Sequence, residues 1–391
     1  MTDLPLTRAE ALERLAAFVP FAGEDYARLR NKDLGAGRHN HVSRLSAALR
    51  RRLVSEEETI AAVLARHPYR AAEKFISEVF WRSYWKGWLE SRPTLWPAYL
   101  HAVAQANARL ATDQSLRQRH AMACAGQTGI DCFDAWVREL EATGYLHNWA
   151  RMQFASIWVF TLDLPWELGA SFTMKRFVDS DPASNTLSWR WVAGLHTAGK
   201  AYLSDAALIA AMTQGRFAPQ GLSTLAVIGP DTLSVPRPLP PRQPAKPDPS
   251  MPSLLVLSIE DLSPETVPQL HGLPIHSIAF LPGATAADQV VLKDALARAQ
   301  DRWPKAKCHG ALSPANLAEA AKDCAQIVTA FVPVGLVADG FGPLRQAALA
   351  LGLPLREYLR DWDAQVWPHC QKGFFALKEN IPALVAQRGL A

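Results

Sequence analysis

Four short groups of residues combine types and spacings that could do chemistry together. Glu78, Trp81, Arg82 and Trp85 recur at i, i+3, i+4 and i+7, a spacing that lines a carboxylate, a guanidinium and two indoles along one helical face. A charged pair beside aromatic rings on a single stripe is odd for a pure core, and an amphipathic helix with indole as filler and a Glu–Arg pair at its edge accounts for the same stripe. Asn148, Arg151, Met152 and Ala155 repeat the pattern within LHNWARMQFASIW. There Ala155 leaves room for a planar group to approach the backbone, while Met152 and Asn148 taken singly are packing and a cap. Asp179 and Asp181, in FVDSDPASN, precede Asn185, Trp189 and Trp191. Their carboxylates can accept hydrogen bonds from a ring imide or ribose hydroxyl, pair with Arg151, or cap a helix through an Asx turn. Near the start, Tyr26 and Arg30, then Val42, Ser43, Arg44, Leu45 and Ser46, supply hydroxyls, cations and backbone N–H groups opening a helix. That setting suits a diphosphate, and a serine there serves equally as a helix cap.

The elements that must position these groups follow from hydrophobic period. Up to about residue 228 the apolar stripes are helical, as in FISEVFWRSYWKGWL, and Thr7 with Glu10 reads as a capping box opening the first helix. DTLSVPRPLPPRQPAKPDPSMP then supplies a proline-dense stretch that holds neither a helix nor a central strand. After it LLVLSI, SIAFLP and QIVTAFVPV read as short buried strands, alternating with the helical segments VVLKDALARAQDRW, ANLAEAAKDCA and GPLRQAALALG. The expected architecture is a helical domain over 1–230, a linker over 231–251, and a smaller doubly wound parallel-sheet α/β domain over 252–391. No Gly-rich dinucleotide or P-loop motif marks a nucleotide site directly.

Composition narrows the function classes. The 391 residues exceed what one hydrophobic core usually organises, and a formal net charge of +4 permits nucleic-acid binding without demanding it. Thirteen Trp can fill core, stack on bases or carry electrons. Five scattered Cys with no CxxC pair argue against a disulfide or zinc scaffold and for a reducing compartment. No metal is expected. The N-terminal residues lack a basic segment followed by an apolar run, and no stretch of about 18 apolar residues occurs, so neither a membrane span nor a membrane partner is expected. A cytoplasmic monomer is expected.

Together the four groups resemble the FAD-binding helical domain of the photolyase/cryptochrome family. That family's TSxLS phosphate loop, ELxWRxF helix, TGxxHNxxRM helix and DxDxxxN turn leading to WxW are matched by VSRLS (42–46), EVFWRSY (78–84), TGYLHNWARM (143–152) and DSDPASNTLSWRW (179–191). The resemblance implies that Ser43, Arg44, Leu45 and Ser46 hold the FAD diphosphate, with Tyr26 as a further donor. Arg82, Asn148, Arg151, Asp179 and Asp181 would hold the isoalloxazine and ribose, with Arg151 pairing to Asp179, and Asn185 would lie beside flavin N5. Glu78, Trp81, Asn148, Met152 and Trp191 match the positions that line the lesion cavity of cyclobutane-dimer photolyases. Trp81 and Trp191 would stack on the flipped-out lesion and Glu78 would hydrogen-bond it. Trp189 and Trp166 match the inner members of the family's electron-transfer chain.

The implied activity is light-driven electron transfer from reduced FAD to cyclobutane pyrimidine dimers in DNA, with a second antenna chromophore possible. The alternative is a cryptochrome-like photoreceptor that binds FAD without repair, and a third reading is a light-independent FAD- or DNA-binding protein. Several residues depart from the pattern. Val42 replaces the usual Thr of the phosphate loop. The outermost tryptophan position falls near Thr112 and Asp113, where there is no Trp, which leaves either another aromatic such as Trp158 or Trp149 as substitute or an inefficient photoreduction. GLHTAGKAYL (194–203) replaces the family's usual stretch, leaving His196 as a substrate or flavin contact or a surface histidine. Arg50, Arg51, Arg52 and Lys200 are candidates for phosphate contacts. In the family an antenna α/β domain precedes the helical one, so this chain, with the α/β part second, looks circularly permuted.

Overall fold

The computed structural model describes residues 4–197 and 199–390. Among the described residues twelve α-helices come first: α1 (Arg8–Phe18), α2 (Glu24–Leu29), α3 (Ser46–Arg50), α4 (Glu56–Leu64), α5 (Tyr69–Glu90), α6 (Leu95–Thr112), α7 (Gln114–Ala125), α8 (Asp131–Thr143), α9 (Asn148–Ser156), α10 (Trp166–Met174), α11 (Pro182–Val192) and α12 (Ala206–Met212). Their ends are written in the sequence. Thr7 and Glu10 form a reciprocal capping box at α1, Ser55 and Glu58 form another at α4, and Asp181 caps α11 ahead of Pro182.

No helix or strand lies between Met212 and Ser253 among the described residues, as the proline density of that stretch requires. Five parallel strands follow: β1 (Ser253–Leu257), β2 (Ile275–Phe280), β3 (Lys307–Ala311), β4 (Gln326–Ala330) and β5 (Leu355–Tyr358), in the order β3-β2-β1-β4-β5. Helices α13 (Ala286–Arg302), α14 (Leu317–Ala320) and α15 (Leu336–Ala350) connect them, and α16 (Asp361–Val366), α17 (Phe374–Lys378) and α18 (Ile381–Gln387) close the described chain. This is a helical region followed by a doubly wound α/β unit.

Strand alternation divides the sheet's two faces. Leu254 and Val256 of β1 point into a core shared with Phe341 and Leu344 of α15. Leu255 and Leu257 point the other way, into a core continuous with α13 and with the helical region. Helix α5 runs through that larger core for 22 residues, about 33 Å of axis. A Cβ at Gly87 of α5 would lie 2.7 Å from Trp367 Cδ1 and 2.9 Å from Cys370 Cβ, so the absence of a side chain there allows the segment after α16 to press onto the helix.

The contact between the two regions corrects one expectation. Arg50, Arg51 and Arg52 are buried and so are not free for DNA phosphates. Arg50 makes a two-pronged pair with Glu260, with N···O distances of 2.7 and 3.0 Å, and Lys86 adds a bond of 2.8 Å to the same carboxylate. Arg51 donates twice to Asp288 Oδ1, at 3.0 and 2.7 Å, and Arg52 bonds Asp363 at 2.7 Å. Three buried guanidiniums survive because each meets a carboxylate from the α/β part. Lys200 is exposed.

Candidate functional site

Helices α5, α9 and α11 and the loop before α3 carry the four chemical groups. In α5 the four residues of the stripe take different partners. Arg82 turns inward, donating to Glu56 Oε1 at 2.6 Å and to the Arg50 carbonyl at 2.8 Å, with Asp181 Oδ2 at 3.9 Å. Glu78 is held by Arg30. Trp85 is buried against Trp81, with ring centroids 5.2 Å apart. Trp81 is half-buried, and its ring lies face to face with Phe374 of α17 at 3.7 Å and 9°.

On α9, Arg151 pairs with Asp179 at 2.9 Å, donates from Nε to the Leu146 carbonyl at 3.0 Å, and lies 3.8 Å over the Phe177 ring. Two residues on, Asp181 Oδ1 accepts from the backbone N–H groups of Ala183 and Ser184, both at 3.0 Å. The pairing and capping uses of these carboxylates therefore coexist. Asp181 Oδ2 is buried with no hydrogen-bond partner among the described residues, as are Arg50 Nε and Arg82 Nε; Arg50 Nε lies 3.8 Å from it, too far for a hydrogen bond. The nearby cations Lys86, Arg50 and Arg82 hold the Asp181 carboxyl below its ordinary range against the opposing effect of burial. Asn148 is exposed at the start of α9, and Met152, one turn on, is half-buried.

The loop to α3 is fixed from both sides. Asp33 accepts from Gly35 N–H at 3.0 Å, Trp136 Nε1 at 2.8 Å and Arg216 at 2.9 Å, and His39 Nε2 lies 2.9 Å from Glu139. Asp33, His39 and Glu139 have a spacing that could admit a metal ion; the Asp33–Trp136 and His39–Glu139 bonds tie the loop to α8. His147, the N-cap of α9, stacks on His39 with centroids 5.4 Å apart. Burial pushes its imidazole down to about 4. In the loop Leu45 is fully buried, the Ser43 hydroxyl accepts from Leu45 N–H at 3.4 Å, and the Ser46 hydroxyl is buried without a partner. Arg44 adopts a left-handed backbone with φ 55° and lies 5.4 Å over the Tyr145 ring. Tyr26 is buried edge-on against Phe18 and Phe75, and burial raises its phenol pKa.

Asn185 uses both ends of its amide. Its oxygen accepts from Thr173 Oγ1 at 2.9 Å and its nitrogen donates to the Ala170 carbonyl at 2.8 Å, leaving one N–H and one lone pair. Thr173 Oγ1 also accepts from Trp189 Nε1 at 3.0 Å, so a hydrogen-bond chain joins Trp189 to Asn185. The Trp189 ring contacts Trp158 edge to face at 6.0 Å, whereas Trp166 stacks on Tyr99 at 5.6 Å. Gly169 permits the first contact, since a Cβ there would fall 2.3 Å from Trp189 Cη2 and 2.9 Å from Trp158 Nε1. Trp191 stacks on Tyr202 at 5.6 Å.

His196 is half-buried, not a free surface side chain. It packs among Tyr84, Trp85 and Trp88, and its Nε2 lies 3.1 Å from Tyr84 Oη. Tyr84 spends its only proton on the Lys372 carbonyl at 2.9 Å, so His196 Nε2 must donate to it and Nδ1 is bare. Burial pushes this imidazole down to about 4, with Arg190 and Arg92 acting in the same direction.

A separate cavity of about 480 Å³ opens between the end of α5, the proline-rich stretch and the β4–α15 turn, with Glu90, Leu239, Arg242, Val334, Phe341 and Arg345 among its walls. Burial raises the Glu90 carboxyl to about 7 although it accepts from Val334 N–H.

Asp179, Asp181 and Arg151 beside partnerless buried donors and acceptors suit a ligand with imide, hydroxyl and anionic groups, as a flavin nucleotide has. Comparison with known proteins agrees: residues 75–221 match the family model described as the FAD binding domain of DNA photolyase. The segment is similar to the deoxyribodipyrimidine photo-lyase of Salmonella typhimurium, 28% identical over 202 residues that cover 51% of this chain and 41% of that protein. It is also similar to the Streptomyces griseus enzyme of the same name, 34% identical over 164 residues covering 40% of this chain and 33% of the relative. A crystal structure of a class III photolyase from Agrobacterium tumefaciens aligns with TM-score 0.42 and 24% identity over 54% of this chain and 43% of that one. Residues 75–221 thus carry the match to the photolyase FAD-binding domain, and the chain spans less than half the length of the curated relatives it matches.

No helix among the described residues is long and apolar enough to cross a membrane.

Proposed function

We propose that this protein binds FAD between the Ser43–Ser46 loop and helices α5, α9 and α11, and uses it for light-driven electron transfer to pyrimidine dimers in DNA. The observation that carries the reading is the buried Asp181 Oδ2, without a partner beside Arg50 and Arg82 and next to the Arg151–Asp179 pair. Burying an unsatisfied carboxylate oxygen costs stability unless a ligand completes it. Bound FAD would supply a light-excited electron donor. Ser43, Arg44, Leu45, Ser46 and Tyr26 would hold its diphosphate. Arg82, Asn148, Arg151, Asp179 and Asp181 would hold ribose and ring, and Asn185 would offer its spare N–H or lone pair. Trp81, Trp191, Met152, Asn148 and Glu78 would receive the flipped-out dimer. Trp189 would deliver electrons inward, with Trp158 its nearer aromatic neighbour and Trp166 the alternative. The α/β part is read as the antenna-like domain in permuted order, and the cavity beside Glu90 as the place for a second chromophore.

One observation favours the second reading, a photoreceptor without repair. Trp81 and Glu78, two of the dimer-binding positions, are already partnered by Phe374 and Arg30. The purified protein's absorption spectrum, followed by blue-light illumination with reductant and a dimer-containing oligonucleotide, tests both. Flavin bands with light-dependent dimer loss are expected. Flavin bands without repair would overturn the repair function in favour of the photoreceptor, and no flavin would overturn the cofactor assignment.

A further inference from the structure

We propose that Phe374 is a gate residue: the segment Gln371–Lys378 covers Trp81, and a nucleic-acid base reaches that indole only by displacing it. The inference rests on Trp81 being a base-stacking surface, and it says what controls access to it.

The Trp81–Phe374 stack has the face-to-face geometry and near-contact spacing that a planar base would adopt on an indole. Phe374 is only 5% exposed, and Tyr84 closes over it edge-on at 5.6 Å. The two rings cannot both be on Trp81's outer face. The polar ties on the cover are few: Tyr84 Oη donates to the Lys372 carbonyl at 2.9 Å, Arg92 donates to the Gln371 carbonyl at 2.8 Å, and Lys378 pairs with Glu73 at 3.0 Å; the rest of the hold is the burial of Phe374 and Leu377. The helix that presents Phe374 is five residues long, too short to persist without its tertiary contacts. Gly373 precedes it with open space where a Cβ would stand, so backbone rotation at that end meets little resistance, while at the other end Asn380 is tied by its amide to the Ala376 carbonyl at 2.8 Å. By contrast Trp367 and Cys370, just before, are locked against Gly87. Movement is therefore confined to the residues after Cys370. Lys372 and Phe375 are exposed on the same segment, and a displaced cover would still present a cation and a ring to a DNA backbone and groove.

A cover that is open about one tenth of the time weakens apparent affinity about tenfold. The test is equilibrium binding of a dimer-containing oligonucleotide to the flavin-loaded full chain, wild type against Phe374→Ala, with Phe374→Leu as the variant that keeps burial but loses the stack. We expect both variants to bind more tightly, Phe374→Ala by about tenfold. Hydrogen exchange on the wild-type chain gives a readout that needs no variant: amides of residues 371–378 should exchange faster when the oligonucleotide is added, and those of α5 should not. Equal affinity for all three proteins, with unchanged exchange over 371–378, would overturn the gate while leaving DNA binding intact. Absence of binding by any of them, flavin being present, would overturn the DNA reading and the gate with it.

Discussion

The α/β part grips the helical part in two chemically different ways. At α3 and the turn after it, three successive arginines are buried and each is matched to a carboxylate from the other region. At Trp81 and Tyr84, some distance along α5, the grip is a ring stack, backbone-carbonyl hydrogen bonds and one surface ion pair. Matched buried charges leave no intermediate state, because pulling one away strands its partner without water. Stacks and single hydrogen bonds can be exchanged for equivalent ones with a ligand. The first contact is built to stay closed and the second can be traded, which is what a helical region with a ligand-facing helix requires.

The largest effect should come from breaking the first contact. Glu260 answers both Arg50 and Lys86, so Glu260→Ala leaves two buried cations facing each other. We expect a loss of about 3–5 kcal/mol in chemical denaturation. A loss under about 1 kcal/mol, as for a surface pair, would mean the arginine cluster is hydrated and the two contacts do not differ in kind.

Acid should separate the two contacts in order. His196, which donates to Tyr84 and so supports the cover, has its pKa lowered from 6.5 to about 4. The unfolded chain then binds the proton first, so the contribution of the neutral imidazole is complete above pH 6.5 and declines as pH falls towards 4. At pH 5 the loss relative to pH 7 is about 2 kcal/mol. Glu260 is lowered from 4.5 to about 2, so its contribution is intact above pH 4.5 and fails only below. Denaturation of wild type and His196→Gln at pH 7 and pH 5 should show the variant losing about 2 kcal/mol less on acidification. An equal loss in both would mean that the folded chain does not hold His196 neutral.

Much of the fold was legible in the sequence, and the parts that were not share a cause. Strands β1, β2 and β4 are apolar runs because they occupy the middle of the sheet and are covered on both faces. Strands β3 and β5 escaped notice because they are edges: KCHGA and LREY carry polar or small residues and leave part of their surface exposed. Helix α15 starts six residues before the GPLRQAALALG segment and runs through Pro343, a residue that reads locally as a helix start. In the site, the Arg151–Asp179 pair was anticipated, because the pattern placed both residues in one motif set. Three adjacent arginines read as a basic surface because their partners Glu260, Asp288 and Asp363 are remote in the chain. Phe374 was invisible for the same reason. A ring that fills another residue's face leaves no mark in local periodicity.

The smallest effect sharpens the comparison most. Lys378 and Glu73 form an ion pair whose side chains are 33% and 37% exposed, a setting in which such pairs contribute about 0–1 kcal/mol. Lys378→Ala should therefore leave the global denaturation midpoint almost unchanged. It should still speed amide exchange over residues 374–378, because that segment opens locally at a free energy well below global unfolding, and a few tenths of a kcal/mol is a visible fraction of its opening cost. The same substitution should not touch exchange in α3, whose arginines have no share in this pair. If α3 and residues 374–378 responded together, the two contacts would open as one cooperative unit, and the cover could not be traded without releasing the arginine cluster.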